Sequence, residues 1–207
     1  NNQIIRKPLT NTVRGFIMQK SIFPMDDIEI LDNYFPEHLF KPIEEFFMGS
    51  GVNFRVSDGA IFSDGCQWAW NEQVNHADDG YFQFCHSIFE GHVVVSKSFN
   101  MIQPILEHEN IISLFRIKAN LNPRTENIQV YDNGFHTDHG SCNYPHTPKM
   151  TTAILYLNTN NGYTLFEDGT KVESVRNRLV KFPCSKKHTG TNCSDEKRRV
   201  VINFNWF

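Results

Sequence analysis

The sequence predicts a mainly β fold, a sandwich or jelly roll with helices packed outside the sheet, and three observations carry that prediction. From Ile111 onward, short apolar runs alternate with Asn, Gly and Pro: Ile112–Leu121, Ile128–Tyr131, Met150–Asn158, Thr164–Phe166, Lys171–Val175, Leu179–Phe182 and Val200–Trp206. Strands this short and this regularly spaced suit a closed or two-sheet β architecture. The last run separates into two faces, Val200, Ile202, Phe204 and Trp206 on one and Arg199, Val201, Asn203 and Asn205 on the other. Before residue 111 the apolar spacing is helical instead.

In order along the chain, Ile28–Leu31 reads as a short strand. Pro36–Met48 then places Leu39, Phe40, Ile43, Phe46 and Phe47 at helical spacing, ending at Gly49 and Gly51, with Pro42 expected to mark a break or restart. Gln67–His86 holds Trp68, Trp70, Tyr81, Phe82 and Phe84, which suit either core packing or a lid over a substrate. Lys97–His108 is a second amphipathic stretch, carried by Phe99, Ile102, Ile105 and Leu106 and weakened by Pro104. Arg116, Lys118 and Asn120 alternate on one face of the strand before Pro123, facing either solvent or the barrel interior. Asn133 and Gly134 supply a turn that delivers His136. With no repeat or low-complexity linker, the 207 residues fit one domain, 1–110 as mixed helical support and 111–207 as the β core.

Twenty basic and 23 acidic side chains give a net charge of −3 without a long block of one sign, which disfavours nucleic acid as a partner. Five cysteines, odd in number and irregularly spaced, suggest reduced thiols and a cytosolic site. No apolar run approaches the roughly 18 residues of a membrane span, and the first residues lack a signal-peptide core. The chain begins without Met, so a processed or truncated start stays open. Asn192-Cys193-Ser194 matches the glycosylation pattern at the level of chance.

The chemistry concentrates in an ordered set: His136-Thr137-Asp138, then His188, then Arg198-Arg199 opening the last alternation. Two imidazoles and a carboxylate cover one face of an octahedral Fe(II) ion and leave the other open for co-substrate and oxygen. A second His-x-Asp, His76-Ala77-Asp78, has no later His and Arg in a matching relation and serves as the decoy. Two alternatives stand beside the oxygenase reading. A zinc module could draw on His139, Cys142, His146, Cys184 and Cys193, although no Cys-x₂-Cys knuckle occurs. A jelly-roll binding or structural protein could keep the fold without turnover.

From about Ile111 to the C-terminus the chain resembles the Fe(II)/2-oxoglutarate-dependent dioxygenases, particularly the prolyl-4-hydroxylase-like branch and its phage and marine bacterial relatives. The resemblance rests on His136-x-Asp138, the strand Met150–Asn158, the stretch Gly-Tyr-Thr-Leu-Phe-Glu-Asp-Gly at 162–169, His188, and Arg199 eleven residues later. It implies a double-stranded β-helix, a cupin-like barrel. His136, Asp138 and His188 would hold Fe(II), and Arg199 would anchor the distal carboxylate of 2-oxoglutarate, with Tyr156 and Asn203 beside it and Arg198 as the rival anchor. It further implies that O2 is consumed, that succinate and CO2 are released, and that a C–H bond of a peptidyl or free amino acid or another small metabolite is hydroxylated. Asp138 argues against the halogenase relatives, which surrender the carboxylate. Asn205 stands where AlkB-like demethylases carry a second Arg, and Arg199 stands where collagen-type prolyl hydroxylases favour Lys. Neither the substrate nor the oligomeric state is legible.

Overall fold

The computed structural model describes residues 28–49, 54–57, 60–63, 65–74, 79–131, 134–138 and 150–207. Seven strands form the continuous path of the large sheet: β1 (Glu29–Leu31), β11 (Arg178–Pro183), β8 (Thr151–Tyr156), β13 (Arg198–Trp206), β7 (Leu114–Pro123), β5 (Gln83–Glu90) and β4 (Ala69–Asn71), in that spatial order. The short β6 (Val93–Val94) adds to β5. A second sheet runs β10 (Lys171–Glu173), β9 (Tyr163–Phe166), β12 (His188–Gly190), and β2 (Phe54–Ser57) pairs with β3 (Ala60–Ser63) as a separate hairpin. This is the expected jelly roll, built from antiparallel pairs.

Period-two alternation sorts the central strands into two faces. Outward, Ile117 and Ala119 of β7, Ala153 and Leu155 of β8 and Val200, Ile202, Phe204 and Trp206 of β13 pack against the two helices. Those helices are α1 (Glu37–Met48), which buries Phe40, Ile43 and Phe47, and α2 (Phe99–His108), which buries Ile102 and Ile105. Each such side chain contributes about 1.5–3 kcal/mol by leaving water. Inward, Ile154, Tyr156, Val180, Phe182 and Val201 of the large sheet meet Phe166 and Val172 of the small one. Thus one apolar cluster seats the helices and the other closes the sheets on each other.

Four expectations need correction. Neither proline breaks its helix: α1 runs through Pro42 and α2 through Pro104. At Pro42 the carbonyl deprived of its partner belongs to His38, and both residues face solvent, where water replaces the lost bond. The Ile128–Tyr131 strand reduces to a single bridge, Val130 to Thr191, because the Asn192 side chain takes the Gln129 N–H at 2.8 Å in place of a ladder partner. An eight-residue strand, β5, lies where no strand was expected; its pairing with β7 shifts register between Ser87 and Phe89, and that irregularity erases the alternation in sequence. Finally, Cys184 is disulfide-bonded, although Cys66, Cys85 and Cys193 are free. Irregular spacing in sequence carries no information on which thiols meet in space, so the thiol argument for a cytosolic site lapses. Among the described residues no helix is long and apolar enough to cross a membrane.

Candidate metal centre and adjoining cavity

His188 sits on β12, and His136 lies directly opposite on the neighbouring stretch. The two residues exchange both backbone bonds, His136 N–H to His188 O and the reverse, each 3.0 Å. That pairing brings the rings to 4.8 Å between centroids, tilted by 42°. Asp138, two residues on, brings Oδ1 to 3.9 Å from His136 Nε2 and 4.0 Å from His188 Nε2. One ligand atom from each of the three lies within 4.8 Å of the others, and no other group of this kind occurs among the described residues. His76, Asp78, His139, Cys142 and His146 lie outside them.

Neighbouring atoms fix how the three present themselves. His136 Nδ1 is 2.9 Å from the Gly134 carbonyl and His188 Nδ1 is 3.2 Å from that of Lys186. A carbonyl only accepts, so each Nδ1 carries the proton and each Nε2 lone pair is left for the centre of the group. Asn205 Nδ2 donates to Asp138 Oδ2 at 2.8 Å, and Arg116 Nη2 stands 3.4 Å from Oδ1. Burial pushes the Asp138 carboxyl up, but His188, Arg116, the Asn205 bond and His136 outweigh it and hold it below the usual range. Burial, with His136 and Arg116 nearby, lowers His188 against the pull of Asp138. A metal binds the carboxylate and the neutral imidazole forms of these groups. Two neutral imidazoles and a carboxylate suit a divalent iron, and the donor set fits the ion that the sequence implied.

Arg199 opens the same interior from the other end of β13. It is 3% exposed, and its Nε donates to Ser174 Oγ at 2.7 Å, Nη1 to the Thr191 carbonyl at 3.2 Å and Nη2 to Thr164 Oγ1 at 3.3 Å. Among the described residues no carboxylate pairs with it. A buried guanidinium satisfied only by neutral oxygens is costly unless an anion arrives. Room for its stem depends on Gly162, where a Cβ would come within 2.7 Å of Arg199 Cδ and 2.3 Å of the Asn192 carbonyl oxygen. Arg198, one residue earlier on the opposite face, instead donates to the backbone carbonyl of Met48 at the end of α1. Alternation thus turns one arginine of the pair inward and the other outward.

A cavity of about 310 Å³ joins these parts, lined by His136, Asp138, His188, Arg199, Asn203 and Thr164 among others. Tyr156 lies behind this wall, fully buried, its hydroxyl donating to Thr164 Oγ1 at 2.7 Å. Asn203 faces the cavity with a buried Oδ1 that has no hydrogen-bond partner among the described residues. Arg116, Lys118 and Asn120 all face inward, as one of their two sequence readings had it. The aromatic-rich 67–86 segment divides: Trp68 packs toward Phe47, Tyr81 meets the cavity-lining Tyr131, and Trp70 and Phe82 stay exposed. It lines the cavity through Asn71, Gln73, Val74 and Gln83. Sequence reasoning placed Asn205 on the inward face but missed its grip on Asp138. Thr164, Ser174 and Gly162 carried no local signal of their contact with Arg199.

No protein-family model and no curated protein matches the chain. Solved structures do match in fold. The viral collagen prolyl hydroxylase of Paramecium bursaria Chlorella virus-1, as its 2-oxoglutarate complex, is 11% identical with a TM-score of 0.52, over 86% of this chain and 94% of the other. A Pseudomonas putida prolyl-4-hydroxylase is 14% identical with a TM-score of 0.53, over 87% and 91%. The non-heme α-ketoglutarate-dependent epimerase SnoN of nogalamycin biosynthesis is 9% identical with a TM-score of 0.51, over 88% and 78%. The chain therefore has the fold of the 2-oxoglutarate/Fe(II) oxygenases, prolyl hydroxylases among them, as the sequence resemblance implied.

Proposed function

We propose that the protein is an Fe(II)- and 2-oxoglutarate-dependent dioxygenase that hydroxylates a C–H bond of a small polar molecule or an amino acid residue. The observation that carries this reading is the shared cavity: a three-donor metal set at one end and, toward the other, a buried arginine with no carboxylate partner among the described residues. In the overall balance, 2-oxoglutarate, O2 and R–H become succinate, CO2 and R–OH, so one oxygen atom enters each organic product.

Each part of the chain has a separable task. His136, Asp138 and His188 would hold the iron, which supplies the activation of dioxygen when bound. Arg199 binds the distal carboxylate of the co-substrate, and Thr164, held by Tyr156 from behind, adds a hydroxyl beside it. Asn203 offers its amide along the same strand face. Asn205 and Arg116 keep Asp138 ionised and oriented, and the two backbone carbonyls keep both imidazoles in the ligating tautomer. Ile154 and Val201 supply the apolar wall that limits water around the co-substrate.

The test is an anaerobic titration of the Fe(II)-loaded protein with 2-oxoglutarate, read by the visible charge-transfer band of a chelated keto acid. The band is expected in the parent protein and absent in His136→Ala. Arg199→Ala should weaken co-substrate binding by roughly 30-fold or more, the loss typical of a buried charge pair, while Arg198→Ala leaves it within about two-fold. A parent protein without the band, or the opposite ranking of the two arginines, would overturn the assignment.

A further inference from the structure

We propose that the substrate is a small polar carboxylic acid of the size and kind of a free amino acid, and that Lys118 receives its carboxylate. This rests on the dioxygenase reading above and narrows it. Four inward residues follow one another along β7, and the register sets each against β13: Arg116 with Asn205, Lys118 with Asn203, Asn120 with Val201, Asn122 with Arg199. All four line the cavity. Their charges are not equally committed. Arg116 is engaged with Asp138 and Asn205, and Arg199 with hydroxyl and carbonyl oxygens. Lys118 has no hydrogen-bond or ion-pair partner among the described residues, although it lines the same cavity. With the dianionic co-substrate set against the divalent metal and Asp138 against Arg116, the cavity still holds more positive charge than negative. A substrate carboxylate at Lys118 gives that side chain the counter-charge it lacks.

Amides around Lys118 define the rest of the molecule. Asn71, Gln83, Asn120, Asn122 and Asn203 face the cavity together, and Asn203 Oδ1 is buried there with no hydrogen-bond partner among the described residues. An apolar prolyl ring pressed against this wall would leave that oxygen unpaired, at about 1–3 kcal/mol. An amino acid instead brings an ammonium to amide oxygens and a carboxylate to Lys118. A site built to hydrogen-bond a polar substrate discriminates by many-fold against an analogue lacking the group. The volume agrees: about 310 Å³ is at the lower end for a ligand site and must also admit the co-substrate.

The experiment is calorimetric and independent of turnover. Protein loaded anaerobically with Mn(II) and 2-oxoglutarate is titrated with the proteinogenic L-amino acids, with the carboxamide of every binder, and with a proline-rich peptide, in the parent and in Lys118→Met. At least one free amino acid should bind, its carboxamide about ten-fold or more weakly, the loss of one good ionic contact. Lys118→Met should abolish that preference while 2-oxoglutarate affinity holds, which also reports that the variant is folded. Binding of the peptide in preference to every amino acid, equal affinity for acid and amide, or no binding at all would overturn the proposal. A loss of 2-oxoglutarate affinity in Lys118→Met would assign the lysine to the co-substrate and overturn it equally. Failure of 2-oxoglutarate to bind the Mn(II)-loaded parent would bring down the dioxygenase reading itself, and this proposal with it.

Discussion

Arg199 and Gly162 illustrate how the site is made at the scale of single residues. A guanidinium buried among two hydroxyls and a carbonyl needs a channel for its stem, and Gly162 leaves that channel by having no side chain. Gly162→Ala is expected to weaken 2-oxoglutarate binding by about ten-fold or more and to cost about 1–3 kcal/mol of stability, read by titration and urea unfolding respectively. Unchanged affinity would show that the stem has another path. The four charged or ligating residues His136, Asp138, His188 and Arg199 were legible because their types and order are themselves chemical statements. Gly162, Thr164, Ser174 and the task of Asn205 were not, since each acts on a partner from another strand and nothing in its own neighbourhood in sequence marks that partner.

At the scale of elements, β13 and β7 were legible because alternation is a local property. Their odd and even positions separate into site and core from Arg116 to Asn122 and along β13. The helices survived their prolines because apolar spacing persisted across them and the freed His38 carbonyl could reach water. By contrast, β5 was illegible because its register shift displaces half of its side chains from the pattern. A different device ties the peripheral elements together. Lys181 of β11 bridges Glu29 of β1 at 3.0 Å and Glu109, just past α2, at 2.8 Å, while the Tyr34 hydroxyl donates to Glu109 at 2.7 Å. Burial raises the Glu109 carboxyl, but His108, Lys181 and Tyr34 overcome it and bring it to about 2. Because this pKa is depressed below its unfolded value, its contribution is complete above about pH 5 and is lost as pH falls toward 2. Glu109→Gln is therefore expected to be less stable than the parent by about 3 kcal/mol at pH 7, with the gap closing on acidification, in paired denaturation curves. A gap independent of pH would mean that the carboxylate is not the stabilising form.

Across the whole molecule, the helices are seated on one face of the large sheet and the cavity opens on the other, so the metal centre is assembled by strands rather than by the ion. Two backbone bonds hold His136 against His188. Chelation is accordingly expected to lower the melting temperature by roughly 5–10 °C, the mass-action loss of a bound ligand, with far-ultraviolet circular dichroism unchanged. Collapse of the β signal on chelation would instead make the ion part of the scaffold. What the sequence could not supply at this scale was the path between sheets: strand order depends on pairings between residues far apart in the chain, such as Glu29 with Lys181 and Arg116 with Asn205. The two-sidedness of β13 has one more consequence. Because consecutive residues there answer to different demands, mutation can rewrite the reagents on one side while the frame on the other stands untouched. A lineage built on such a strand can change what it reacts with many times over and still inherit the same architecture.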